Sequence, residues 1–599
     1  MSKKIVPIDY TGNDFDNIKK SLVNYAKKYY PNTFKDFNEA SFGSLMTDLV
    51  SYVGDSLSFY LDYNANESFL DTSLEYDNVI MHANQMGYKH SSTRSSVGKV
   101  DLYVPIPASA TLSEPDRNYL PRIKRGASFS TSEGNIFTLI DDVNFLSEDT
   151  EFVGDELSAD GSKVAYYITK KSARVISGEN RQTTIEVGDF QRFLKLKIPA
   201  SNIAEIISVI DTNGHEYFEV DYLSQNVVFR PIINKNTLTQ TPGAESIMKP
   251  FPVPRRFTVE RKGIDVFLIF GYGSESEIKK EKVADPSEIV LDILGKNYVS
   301  NVTFDPSKLL TTEKFGVSPV NTSLTITYRV NTEQNVNAAA GSVTTVVEPN
   351  MEFSNPQNLE ASKMQYMLRN IEVFNEEPIN GDISVPTTEE IKKRAYANFA
   401  TQGRAVTLQD YISATYAMPV NFGSVKRAAI YRDDNDLTRN INMFIVSESP
   451  QGKLEVSSSV LKENLKTWLN SIKMVNDSVD ILDAIILNLG IEFEVVGQKS
   501  VSTSQVFNSA KEKLFEQLTI TPPEIGEPFQ VTEIFRILKE VPEVLDVVDV
   551  RIVNRVGVNY SNYSIDIESS MGTEGRTVHV PPNVIWELKY ESDITGIVR

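Results

Sequence analysis

Gln402-Gly403-Arg404-Ala405-Val406-Thr407-Leu408-Gln409-Asp410-Tyr411 is the stretch from which the fold is read. It follows Thr387-Thr388-Glu389-Glu390-Ile391-Lys392-Lys393-Arg394-Ala395, a run of good helix formers that opens on a hydroxyl. Thr387 with Glu390 has the spacing of a capping box. Each side chain can reach a backbone N–H that the first turn of a helix leaves without a partner. Thr407 with Asp410 repeats the arrangement with a shorter acidic arm. The spacing therefore predicts a helix over 387–401, a break at Gly403, the basic residue Arg404, and a second capped helix over 407–416. No nucleophile, general base or ligand set accompanies it.

The 599-residue chain exceeds what one hydrophobic core supports, and its length suggests roughly three to five domains. With 41% hydrophobic and 10% aromatic residues it can bury several cores, so it reads as globular. Eighty acidic against sixty basic residues give a net charge of −20. Such a surface repels phosphate backbones and argues against nucleic acid as a partner. The absence of cysteine excludes disulfides, thiolate metal sites and cysteine nucleophiles. Met1 to Tyr10 lacks the apolar core of a signal peptide, and no apolar run approaches the roughly 18–20 residues that span a bilayer. The expectation is a chain made and folded in a cytoplasm, without direct membrane insertion.

Hydrophobic periodicity divides the chain. In 1–98, Phe42, Leu45, Met46, Leu49, Val50, Val53, Leu57, Tyr60 and Leu61 recur at gaps of three and four and trace one face of a long helix. Asp48, Ser51, Asp55, Ser56 and Asp62 fall on the other side. Thr72 with Glu75 reads as a capping box for a further helix carrying Leu74, Val79, Ile80, Ala83 and Met86, which Gly87 ends. Helices of this size enclose no core of their own, so the stripe serves either the rest of the chain or another subunit.

From Val97 to Val347 the period becomes two, as in Val100, Leu102 and Val104 and again over Ser323–Val330. Asn213-Gly214 marks a tight hairpin. Four prolines between Pro242 and Pro254 suggest a division. Beyond 360 helices and strands alternate, and Leu461, Leu465, Trp468, Leu469 and Ile472 form a clean apolar face. The reading is a multidomain α+β protein with an N-terminal helical segment (1–98), two β-rich domains (99–245 and 246–360), and two α+β domains (361–478 and 479–599). In the last two, helices pack on mostly antiparallel sheets.

Little in the sequence carries chemistry. His82, His90, His215 and His579 are the only histidines, and none stands at metal-ligand spacing to another. Gly271-Tyr272-Gly273 lacks the third glycine of a dinucleotide fingerprint and reads as a turn. Asp433-Asp434-Asn435-Asp436 lacks the alternation and glycine of a calcium loop and reads as a solvated one. Arg122, Lys124 and Arg125 read the same way. No catalytic, metal or cofactor-binding residue is assigned, and no enzymatic activity is expected.

The spelling "PTTEEIKKRA…TQGRAVTLQDY" resembles the signature of baseplate J-like proteins, wedge components of contractile phage tails and related injection machines. Further blocks follow in the same order. Asn66-Glu67-Ser68-Phe69-Leu70-Asp71-Thr72 with Gly87-Tyr88 looks like the opening of T-even-type wedge proteins. "RRFTVERKGIDVFLIFGYGS" is similar to a wedge segment, as is the stretch 314–346. Residues 528–552 resemble the J-like C-terminal helix and strand, with Glu543 where glycine is usual. The similarity spans about 35 to 555.

The resemblance implies a structural wedge subunit of the inner ring, present in two copies in each of six wedges. It would join wedges around the hub and transmit the change of shape that triggers sheath contraction. Its implied partners are other wedge proteins, itself, the tail hub and the sheath initiator, and its implied place is the tail baseplate of the virion. Phe42, Leu45, Leu49, Val53, Leu57, Tyr60 and Leu61 would then be the face bundling with partner helices. The region 387–590 would supply ring contacts. Thr387, Glu390, Gly403, Arg404, Thr407, Asp410 and Tyr411 would be fold-forming, with Arg404 in a buried ion pair. The same resemblance fits a baseplate subunit of a bacterial contractile injection system or tailocin. A cell-wall-degrading tail enzyme and a fibre-like receptor-binding protein are the rivals from other classes.

Overall fold

The computed structural model describes residues 14–30, 38, 41–89, 94–109, 114–146, 151–157, 164–233, 246–263, 265–274, 315–331, 336–382, 385–432, 440–520 and 523–599. Among the described residues the longer helices are α1 Phe15–Tyr29, α2 Phe42–Glu67, α3 Tyr76–Gln85, α4 Ala361–Arg369, α5 Thr388–Thr401, α6 Leu408–Tyr416, α7 Ser459–Asn470, α8 Thr503–Ile520 and α9 Val531–Lys539. The chain divides into a small unit, Met1–His90 with Pro386–Gln402, and a large one, Ser91–Val385 with Gly403–Arg599. The expected class holds: helices lead, sheets fill the middle, and helices mix with strands towards the C-terminus.

The small unit is helical. α5 belongs to it, although it lies some three hundred residues downstream of its partners. Buried Lys392 on α5 donates to the Asp71 carbonyl at 3.2 Å and pairs with Glu389 at 3.0 Å. The expected 361–478 domain therefore loses this helix, because an amphipathic pattern specifies a buried face without saying what buries it.

In the large unit the first sheet is antiparallel. Its strands run in the order Val343–Glu348, Ser128–Thr131, Ile136–Leu139, Val164–Ser177, Val97–Pro107 and Glu372–Phe374, with Phe152–Leu157 pairing beside Val164–Ser177. Asn375 draws its ends together, its side chain accepting from Val343 N at 2.9 Å and its carbonyl from Gly341 N at 2.7 Å. Val100, Leu102, Val104 and Ile106 point into the enclosed core with Phe129, Phe137 and Val175. The alternation of period two was a true signal here.

A second sheet is inserted within the first. Its order is Glu179–Val187, Thr322–Val330, Ile203–Asp211, Glu216–Glu219, Arg256–Lys262, Asp265–Phe270 and Lys195–Lys197. Strands on either side of the expected 245/246 boundary share this sheet: Phe218 pairs with Arg256 and Glu219 with Phe257. The sheets are nested where two consecutive domains had been expected, since alternation locates strands but not their neighbours. Asn213-Gly214 does close a hairpin. It is a three-residue loop with Gly214 at φ 80° and Asp211 N bonded across to the His215 carbonyl at 3.0 Å.

Two C-terminal sheets follow. Arg427–Arg432, Asn440–Glu448, Leu454–Glu455 and Ser478–Asp483 pack under α6 and α7, with Leu461, Leu465 and Leu469 fully buried as their spacing requires. Val544–Asn554, Ile485–Gly497, Val584–Glu587 and Ile594–Val598 pack against α8 and α9. These sheets are mixed, a correction to the mostly antiparallel reading. Asn440–Glu448 takes Ser478–Asp483 in parallel, and Ile485–Gly497 takes both Val584–Glu587 and Ile594–Val598 in parallel. Helical crossovers between the strands make parallel pairing possible. Glu543, where the resemblance would put glycine, turns without positive φ, and its carbonyl accepts from Gln498 N at 3.0 Å.

Candidate assembly interface

α2 is packed inside out. Its inward face is made of small and polar residues: Ser44 and Ser51 are buried, and Gly54 lies so close to α1 that a Cβ there would sit 3.1 Å from Ile18 Cδ1. Lys19 of α1 pairs with Asp48 of α2 at 2.6 Å. All seven residues of the expected stripe, Phe42, Leu45, Leu49, Val53, Leu57, Tyr60 and Leu61, are instead 48% to 73% exposed. Met46, Val50, Tyr52 and Phe59 join them. At 100° per residue the exposed apolar positions sweep about 200° of the helix surface, far more than isolated surface leucines would. Burying serine and glycine contributes little hydrophobic stabilisation, so the packing of α1 on α2 leaves the larger part of the hydrophobic effect unspent. Contiguous apolar surface of this kind is uncommon on proteins that function alone.

The turn after α2 is held by Glu67. Thr72 does not cap α3: its hydroxyl donates to the Asn66 carbonyl at 2.6 Å, and Glu75 is itself the N-cap residue, its side chain accepting from the Tyr63 hydroxyl at 2.8 Å and capping no backbone N–H. The predicted capping box fails because the helix starts later than the spacing assumed. Glu67 does the work instead, accepting from Leu74 N at 2.7 Å, Glu75 N at 3.3 Å and Asn78 Nδ2 at 2.8 Å, while its carbonyl meets His82 Nε2 at 2.9 Å. Burial opposes its ionisation, but the Asn78 amide and the two N–H groups outweigh it and hold the carboxyl below its ordinary value. A depressed carboxylate stabilises the fold above its unfolded pKa, and that contribution disappears as pH falls through the folded pKa. Protection of the α3 amides, taken relative to intrinsic exchange, should accordingly fall in acid, below the ordinary glutamate range. Glu67→Gln should flatten that acid limb and raise exchange at neutral pH; an unchanged profile would count against the role.

Both capping boxes of the opening stretch are formed. Thr387 Oγ1 accepts from Glu390 N at 3.3 Å and Glu390 Oε2 from Thr387 N at 3.2 Å. Thr407 Oγ1 accepts from Asp410 N at 3.3 Å, and Asp410 Oδ2 accepts from Thr407 N at 2.8 Å and Val406 N at 3.1 Å. Burial works against the Asp410 charge, yet the two N–H donors hold its carboxyl below the usual range. Replacing Thr407 by alanine should cost about 1 kcal/mol in urea denaturation, the usual value of an N-cap, and Thr407→Ser should restore most of it.

Between the boxes Gln402 and Gly403 both take the left-handed conformation, at φ 52° and 75°. This is where the chain leaves the small unit for the large one. Arg404 is exposed and makes no ion pair among the described residues, contrary to expectation. Its neighbour is the buried residue: Ala405 bridges in parallel to Lys473 and donates to the Ile472 carbonyl at 2.9 Å, which turns the next side chain outward. Tyr411 is fully buried and donates to Asp477 Oδ2 at 2.6 Å.

Among the described residues no group of histidines and carboxylates could hold a metal ion, and no helix is long and apolar enough to cross a membrane. His215 Nδ1 lies 3.0 Å from Asp211 Oδ2, closing the hairpin loop. Gly271 marks a close approach of two backbone segments: a Cβ there would collide with the Gly316 carbonyl oxygen, and Gly273 bridges in parallel to Val317. Arg122 and Lys124 pair with Asp142 and Glu352 at 2.6 and 2.9 Å. His90 and Asp433–Asp436 lie outside the described residues.

Residues 14–85, the inside-out helices, match the family model described as bacteriophage baseplate protein, N-terminal domain. The chain thus carries a phage-type baseplate domain at its start, as the resemblance implied. Among solved structures it is similar to a chain of the six-fold symmetrised anti-feeding prophage baseplate, at 9% identity and TM-score 0.27, covering 97% of this chain and 99% of that one. It is also similar to a chain of the type VI secretion TssK-TssF-TssG baseplate subcomplex, at 9% identity and TM-score 0.24, covering 73% and 96%. No curated protein sequence matches it.

Proposed function

We propose that this chain is a structural wedge subunit of a contractile-tail baseplate, assembled through the outward face of α2. One observation carries the reading: in the segment matching a baseplate N-terminal domain, the long apolar side chains of α2 face solvent while Ser44 and Ser51 are buried and Gly54 lies against α1. Such a face is completed by apolar helices from other subunits. Wedge proteins, and a second copy of this chain, are the partners the proposal names. The region 387–590 supplies contacts between neighbouring wedges, joining them around the hub and passing on the change of shape that precedes sheath contraction. The chain acts as a component of the tail and not as a catalyst.

Labelling the protein in intact particles and imaging them at low resolution tests this. Density from the label at the baseplate, close to the tube, is expected. Label along fibres or absent from the particle would overturn the reading. Incubation of the purified chain with peptidoglycan should release no soluble fragments.

A further inference from the structure

The nested second sheet is joined to the first by a polar neck. The chain leaves Val164–Ser177 at Gly178, enters Glu179–Val187, and returns along Thr322–Val330, which pairs with the entry strand from Glu179↔Val330 to Val187↔Thr322. Entry and exit are therefore adjacent strands. The buried apolar residues on the two sides form separate clusters, one around Leu102, Phe129 and Phe137, the other around Leu268, Phe270 and Ile326.

Hydrogen bonds cross the neck, and beyond it Ile203–Asp211 also approaches the turn Val420–Phe422. Arg329, 2% exposed, donates from Nη1 to Ser95 Oγ at 2.9 Å and to the Ser177 carbonyl, and from Nη2 to Glu205 at 3.1 Å. Buried Asn331, the first residue past the module, donates from its backbone N–H across the neck to the Asn202 carbonyl at 3.1 Å and from its side chain to Ser95 Oγ at 3.1 Å and the Arg94 carbonyl on the first-sheet side. On the first-sheet side of the neck, Thr138 Oγ1 donates to the Gly178 carbonyl. Gly178 stands at φ 116°, where a Cβ would collide with Asn331 Oδ1. Burial lowers the Arg329 pKa, and Glu205 partly restores it.

We infer that residues 179–330 are a module carried on this two-stranded neck, and that Arg329 is the positioning residue that fixes the module's angle to the first sheet. A planar guanidinium with donors in a fixed fork satisfies acceptors on both sides in one orientation only, which a merged apolar core would not require. Released, the neck keeps its strand pairing while the module swings on it, since hinges concentrate their motion in a few element-terminal residues. The inference stands on the neck geometry and does not depend on the assembly role.

The chain has no cysteine, so paired cysteines at exposed Glu133 and Thr212 label the first sheet and the module cleanly. In the full-length chain, a single narrow distance distribution is expected between the two dyes. Arg329→Ala should shift and broaden it and speed exchange at the Ser177, Gly178 and Asn331 amides about tenfold or more, while Ile203–Asp211 stays protected. Arg329→Lys should recover only part of the narrowing, because an ammonium cannot reproduce the fork. An unchanged distribution in Arg329→Ala, or loss of protection throughout Ile203–Asp211, would overturn the assignment. Should Arg329→Ala fail to fold, Ser95→Ala decides: broadening supports the clamp, and an unaltered distribution removes it.

Discussion

A chain carrying Leu49→Asp and Val53→Asp stays folded and fails to enter its assembly. Both side chains are on the solvent face of α2, at 56% and 48% exposure, so the free protein should lose no more than about 0.5 kcal/mol, as is usual for surface substitutions away from structural features. Docking is a different matter. Each aliphatic side chain buried against a partner contributes about 1.5–3 kcal/mol. Two unpaired carboxylates taken from water in their place cost several kcal/mol more. Together they should weaken association by about three orders of magnitude or more, enough to abolish it at working concentrations. Size-exclusion chromatography of the purified variant with the other baseplate subunits of its particle reads this directly, with circular dichroism of the free chain as the control. A variant that folds and still co-elutes at native stoichiometry defeats the proposed face. The inward face behaves oppositely: Gly54→Leu drives a side chain into Ile18, so it should loosen α1 from α2 before it affects any partner.

Features legible in the sequence were those whose cause is local. The two capping boxes, the Asn213-Gly214 loop and the buried face of α7 each depend on residues within a few positions of one another, and each formed. The stripe on α2 was equally legible as a stripe. Its periodicity reported that one face was apolar and not that this face pointed away from α1, because Gly54 and Ser51 signal close packing only once a neighbour is known. What failed was mostly non-local, the Thr72–Glu75 capping box being the local exception. α5 joined helices far upstream through Lys392 and Asp71; Thr322–Val330 returned to the strand at Glu179; and Glu67, rather than Thr72, held the turn before α3. Arg404 failed for a further reason. Once Ala405 is committed to its bridge with Lys473, alternation along extended backbone sends the arginine to solvent, and the motif's charged residue does not lie in the core.

Tyr411 is the member of that motif the core cannot do without. Its ring fills the cluster with Leu461, Leu465, Met443 and Ile445, and its hydroxyl ties α6 to the turn before Ser478–Asp483 through Asp477. Burial, reinforced by the Asp477 carboxylate, pushes the phenol well above its ordinary value, so it remains a donor throughout the physiological range. Tyr411→Ala removes the ring and leaves a cavity, and should cost about 3–5 kcal/mol. Tyr411→Phe keeps the ring and removes one hydrogen bond to a charged group, and should cost about 1.5–3 kcal/mol, towards the lower end because Asp477 is half-buried and can be hydrated. The chain supplies its own reporter. Of its two tryptophans, Trp468 donates to the Ala414 carbonyl at 2.8 Å, beside Tyr411, whereas Trp586 sits in the separate C-terminal core. In a Trp586→Phe background, the urea midpoint followed by Trp468 emission should fall strongly for Tyr411→Ala and modestly for Tyr411→Phe. Equal midpoints for the two variants would mean that the ring contributes nothing beyond its hydroxyl, and would move the stabilising role of the motif from Tyr411 to the capping residues Thr407 and Asp410.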